Sequence, residues 1–127
     1  MMEFKMKENG FQIDLEYGTL DVSGNEQYGY RPYQLLVSSI AVCSGGVFRK
    51  VLEKKRITYE NITIEADVKR NEEGVNEVTD IALHFIIEGC PATEKQIEKS
   101  LEIARKNCPI VQSVQGSINV TESFEQK

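Results

Sequence analysis

Apolar and polar residues alternate at the start of the chain, Phe4 and Met6 against charges and then Phe11, Ile13 and Leu15. That period of two predicts strands, and Asn9-Gly10 between them predicts a two-residue hairpin turn. The stretch "SGNEQYGYR" that follows has two Gly, two Tyr and no period, so it predicts a loop. Pro32 then suits a first helical position, where its missing N–H costs nothing. From about Tyr33 to Lys55 the period lengthens: Leu36, Ile40, Cys43, Val47 and Val51 recur at steps of 4, 3, 4 and 4, one face of a helix. Its first half is apolar nearly all round, which predicts burial. Ser38, Ser39, Ala41, Ser44, Gly45 and Gly46 are small enough to admit a close neighbour. Glycine inside a helix costs about 1 kcal/mol relative to Ala, so close packing around Cys43 is expected to offset Gly45-Gly46. Beyond Phe48 the helix turns basic in "RKVLEKKR", matching the negative end of its dipole.

Alternation returns at Ile62, Ile64, Ala66 and Val68, breaks at "NEEG", and resumes at Ile81, Leu83, Phe85 and Ile87. This predicts a long hairpin. His84, the single histidine, falls on the face opposite Leu83 and Phe85 with no partner at ligand or triad spacing, and reads as a solvated strand residue. A second helix is expected over about Thr93 to Asn107, with Ile97, Leu101, Ala104 and Cys108 at steps of 4, 3 and 4. Pro109 ends it, because the residue before proline is pushed out of helical geometry. A last strand is expected from about Ser113 to Thr121. The order β-β-(β)-α-β-β-α-β makes residues 1–127 one α+β domain. A helix apolar on all sides from Leu35 to Phe48 needs more cover than a chain of 127 residues with one sheet supplies, which predicts a homodimer.

Length and charge narrow the function. A chain of 127 residues can bury a core without disulfide or metal staples. A net charge of −5, with Lys and Arg spread rather than clustered, argues against nucleic acid or anionic membrane as partners. "MMEFKMKENG" lacks a signal-peptide pattern, and the run Leu35 to Phe48 is expected to be too short and too rich in Ser and Gly to span a bilayer. A cytoplasmic location is expected. Three cysteines in such a chain make no disulfide framework, and a free cysteine is often a small buried hydrophobe. Cys43 and Cys108 both lie on apolar stripes and point to one core. Helices packed at the usual separation of about 8–10 Å can bring such thiols within bridging range. Periodicity does not fix the register, so contact and mere packing both stay open. Cys90, before Pro91, reads as a strand-end cysteine near a helix cap. Cys90, Cys108 and His84 contain no CxxC or HxxxH unit, so no metal or cofactor is expected.

"PYQLLVSSIAVC", with its mid-helix cysteine, and "ARKNCPI" before a terminal strand resemble the OsmC/Ohr family of osmotically inducible and organic hydroperoxide resistance proteins. The resemblance covers about residues 3 to 122. It implies a fold of N-terminal β-hairpin, long buried helix, β-hairpin, second helix and final strand, with two chains intertwined as a dimer. It further implies a thiol-dependent peroxidase for small organic hydroperoxides, regenerated by a dithiol reductant. Cys43 would attack the peroxide and become a sulfenic acid, and Cys108 would resolve it as a disulfide. Tyr28, Tyr30 and Tyr33 are candidates for the wall of the pocket. Peroxidases of the family activate the thiol with an arginine near the N-terminal sheet, held by a glutamate early in the long helix. Here the N-terminal strands offer Lys5 and Lys7, and the helix start reads Tyr33-Gln34. Arg31, from the partner chain or by folding back, and Arg105 are the candidate cations. Without one, oxidation is expected to be slow at neutral pH and faster in alkali. The alternative function is a binding protein of the same fold that holds a small apolar or thiol-containing ligand in the dimer cleft.

Overall fold

The computed structural model describes residues 1–127. Along the chain run β1 (Lys5–Lys7), β2 (Gly10–Asp14), β3 (Thr19–Val22), α1 (Pro32–Lys54), β4 (Asn61–Arg70), β5 (Val78–Glu88), α2 (Glu94–Asn107), α3 (Pro109–Ser113) and β6 (Asn119–Gln126). They fall into two compact units, Met1–Ser38 and Ser39–Lys127, and α1 runs through the boundary.

In the first unit β1, β2 and β3 form an antiparallel meander. Lys7 pairs with Gly10, so the hairpin turn is Glu8-Asn9, one residue earlier than the Asn-Gly pattern suggests. The shift follows from Gly10. It opens β2 at φ 129°, and any Cβ there would collide with the carbonyl oxygen of Val22. Lys7 Nζ reaches Asp21 Oδ1 at 2.7 Å and ties β1 to β3. Ile13 is buried, but Phe4, Met6 and Phe11 are 52%, 80% and 51% exposed.

The second unit is built on the predicted long hairpin. β4 and β5 pair antiparallel with Ile64 opposite Phe85, and β6 adds in parallel with Phe124 opposite Phe85. Ile81, Leu83, Phe85 and Ile87 are fully buried, as the alternation requires. From α1, Phe48 meets Phe85 edge-on, ring centres 5.3 Å apart. Gly45 lies so close to Ile64 that a Cβ would come within 2.6 Å of its Cδ1, which accounts for one helical glycine; Gly46 has open space around it.

Three expectations need correction. The buried face of α1 is Ile40, Ser44, Gly45, Phe48 and Leu52, turned by one residue from the predicted stripe, of which only Ile40 is fully buried. A helix apolar on several sides offers two equally periodic faces, and the bulk of Phe48 and Leu52 decides between them. Second, α1 is long and apolar enough to cross a membrane by length and composition, because the run Leu35 to Phe48 omits a turn at each end; 28% of its most apolar window is buried. Third, Ser113 ends α3 and the last strand starts at Asn119. Pro109 ends α2 but is preorganised for the first position of another helix, and Gly116 at φ 88° makes the turn into β6.

Candidate functional site

Thr93 starts α2 with a capping box: its hydroxyl accepts from Gln96 N–H at 3.2 Å, and Gln96 Oε1 accepts from Thr93 N–H at 2.9 Å. The helix then carries Ile97, Leu101 and Ala104 inward and ends at Cys108. Pro109 forces Cys108 to φ −83°, ψ 109°, an extended conformation. Its thiol thereby stands at the junction of α2 and α3, wholly buried. There it lies close enough to Cys43, half-buried on α1, for the two thiols to influence each other. Both sulfurs are free thiols. Burial pushes the Cys108 thiol up, the neighbouring Cys43 thiol pushes it further, and the amides of Val111 and Ile110 pull the other way. Cys108 therefore keeps its proton to higher pH than an ordinary thiol.

Next to Cys43 in the helix, the buried Ser44 donates its hydroxyl to Glu122 Oε2 at 2.8 Å. Glu122 is the neighbour of Leu83 across the parallel β5–β6 pair, on the core side of the sheet. Burial raises its carboxyl above the ordinary range, while Ser44 and, through space, Arg105 oppose that rise. Arg105 stands one turn before Cys108. It borders a groove of about 520 Å³ that Leu101, Glu122 and Phe124 also line. Ser44 and Glu122 were missed from sequence. The signal was a charge on the apolar phase of Val120 and Phe124, but a strand expected to stop at Thr121 left it out.

The other expected site residues lie in the first unit. Arg31 sits 5.1 Å over the Tyr33 ring and donates from Nη2 to the Tyr33 hydroxyl at 3.2 Å, while its Nε is buried without a partner. Gln34 Oε1 accepts from the Arg31 amide at 3.4 Å, and Tyr30 is largely exposed. Arg31, Tyr33 and Gln34 thus form one local group, whereas Cys43 and Cys108 belong to the second unit. Lys7 is engaged with Asp21, and Lys5 has Glu3 at 3.8 Å. Cys90 is half-buried in the segment before Thr93. His84 does have partners, contrary to expectation: Nδ1 lies 2.7 Å from Ser123 Oγ and Nε2 3.1 Å from Glu125 Oε1. Only the parallel pairing of β6 with β5 brings them together, and spacing along the chain does not reveal it.

A long helix with a mid-helix thiol, a hairpin, and a second thiol where the next helix breaks at proline form a specific combination. The sequence profile of the OsmC-like proteins matches residues 23–123. The chain belongs to the OsmC-like family. It is 24% identical over 95 residues to protein YhfA of Escherichia coli K12, a match covering 74% of this chain and 71% of that protein. A hypothetical protein from Aquifex aeolicus superposes with a TM-score of 0.87 at 26% identity, over 100% of this chain and 95% of that one. An organic hydroperoxide resistance protein from Legionella pneumophila gives 0.76 at 19% identity, over 98% and 96%, a likeness of fold. The α+β architecture implied by the resemblance is thus the one observed.

Proposed function

We propose that this OsmC-like chain is a cytoplasmic thiol-dependent peroxidase that reduces small organic hydroperoxides, all 127 residues forming one OsmC-like domain of an intertwined homodimer. The observation that carries this reading is the nearness of two free thiols on α1 and at the end of α2, Cys43 and Cys108. A partly accessible thiol beside a buried one that holds its proton divides the labour. Cys43 attacks the peroxide, the O–O bond breaks to release an alcohol, and Cys43 becomes a sulfenic acid. The sulfur of Cys108 then displaces water from it, giving a Cys43–Cys108 disulfide, which a dithiol reductant opens by exchange. The dimer is supported by Val42, 71% exposed on the apolar α1, and by the bare face of Phe4, Met6 and Phe11.

A steady-state assay with cumene hydroperoxide and a dithiol tests the reading. Turnover is expected, lost in Cys43→Ser and kept in Cys90→Ser, and peptide mapping after one equivalent of hydroperoxide is expected to find Cys43 joined to Cys108. The engagement of Lys7 with Asp21 favours a second reading, a binding protein with a ligand in the dimer cleft, since it leaves that lysine no free charge for the thiol. Turnover no better than that of Cys43→Ser would select it.

A further inference from the structure

Away from the thiols, on the face of the second sheet opposite its buried core, three side chains form an ordered set. His84 stands between the buried Leu83 and Phe85 of β5 and so points outward. The parallel register places Ser123 directly across from it, and Glu125, two residues on, shares that face of β6. The imidazole bridges them, with Nδ1 2.7 Å from Ser123 Oγ and Nε2 3.1 Å from Glu125 Oε1. A carboxylate only accepts hydrogen bonds, so Nε2 carries the ring proton and Nδ1 keeps its lone pair for the serine hydroxyl. That is the order of an activated nucleophile: a hydroxyl, a base, and an acid that fixes the tautomer of the base. Solvent alone would satisfy three such polar groups, so fold stability does not call for this alignment. Ser123 is exposed and also lines the groove of about 520 Å³ beside α2. Leu101 and Phe124 give that groove an apolar patch, Arg105 is its one cation, and Glu94, Glu98 and Glu102 make its rim acidic.

We infer that Ser123, His84 and Glu125 form an esterase site for carboxylic esters of short apolar acids with neutral or cationic alcohols. The Ser123 oxygen attacks the acyl carbon while its proton passes to His84 Nδ1. Arg105 supplies a positive charge on the groove for the oxyanion that develops at the carbonyl. The bond from carbon to the alcohol oxygen then breaks, and His84 returns the proton to the leaving alkoxide. A water molecule attacks the acyl-serine by the same proton path, frees the acid and restores Ser123. The apolar patch suits a short acyl chain, and the acidic rim repels anionic esters. Glu125 touches no substrate; it is a positioning residue that holds the ring. No oxidant or reductant enters, so this activity stands apart from the thiols and from the peroxidase reading.

Steady-state hydrolysis of p-nitrophenyl acetate tests this, with peptide mapping after a brief pulse of the ester. Turnover is expected, with the acetyl group found on Ser123. Ser123→Ala and His84→Gln are each expected to lower kcat by about 100-fold, the lower range for a positioned acid–base group. Glu125→Gln should lower kcat with KM unchanged, because its amide can donate to Nε2 and move the ring proton to Nδ1. Unchanged circular dichroism shows these surface variants to be folded. His84 is the single histidine, so nitrogen NMR reads its tautomer directly. The neutral ring should carry its proton on Nε2 in wild type and on Nδ1 in Glu125→Gln. Relative to their uncatalysed rates, the cationic m-acetoxy-N,N,N-trimethylanilinium should be preferred over m-acetoxybenzoate about tenfold, a gap that salt narrows. No such preference would overturn the assigned substrates. A wild-type ring protonated on Nδ1, acetyl found only on cysteine or lysine, or turnover no better than that of Ser123→Ala would overturn the esterase and leave the peroxidase standing.

Discussion

The two units of the chain treat their apolar residues in opposite ways. In Ser39–Lys127 every inward position of β5 is sealed beneath helices, and Phe48 and Phe85 lock edge to face. In Met1–Ser38 the sheet presents Phe4, Met6 and Phe11 to solvent, and Ile13 is the one apolar residue that is buried. Both sheets have three strands and similar alternation, so secondary structure does not explain the contrast. What differs is the presence of a helix laid over the apolar face. The unit with the thiol pair closes its own core, while the unit with Arg31 leaves an apolar face for something else to cover.

The largest effect should come from opening the sealed core. Phe85→Ala is expected to cost about 3–5 kcal/mol, the usual range for emptying a buried aromatic site, as read from urea unfolding. The same truncation at Met6, 80% exposed, should be nearly neutral in an isolated chain, and a comparable loss there would show that its face is covered in solution. A more selective break places charge on that face. Met6→Lys together with Phe11→Lys is expected to convert a dimer at micromolar concentration into a folded monomer by sedimentation. A wild-type protein that is already monomeric would end the dimer proposal.

The smallest effect is electrostatic and confined to the sealed unit. Cys108 holds its proton above the ordinary thiol value because it is buried and stands beside the Cys43 thiol. Below that ordinary value, about 8.5, folded and unfolded chains are equally protonated and nothing is lost. As pH climbs beyond it the unfolded chain ionises first, so stability drains away until the folded thiol titrates too. Urea midpoints should therefore decline in alkali for wild type and decline less for Cys108→Ala.

Much of the sealed unit was legible in the sequence. The hairpin from Asn61 to Glu88 shows clean alternation because only one of its faces is buried. The stripe Ile97, Leu101, Ala104 and Cys108 is wholly buried because α2 has only one apolar face. The α1 face was read one residue off for the opposite reason, since too many of its positions are apolar for periodicity to select among them. The partners of His84 and the Ser44–Glu122 bond were illegible because each joins positions far apart in the chain: 39 residues separate His84 from Ser123, and 78 separate Ser44 from Glu122. The thiol pair was half legible: its orientation could be inferred from each stripe, its nearness only from the packed helices.

The parallel placement of β6 carries a consequence in time. β4 and β5 are joined by a short turn and can zip together early, whereas β6 reaches β5 only after α2 and α3 have formed between them. Closing a long loop delays such a pairing, so the edge strand is expected to dock late. Glu122 rides on that strand. A chain emerging from the ribosome therefore displays both cysteines before Glu122 arrives, and Ser44 gains its partner among the last events of folding.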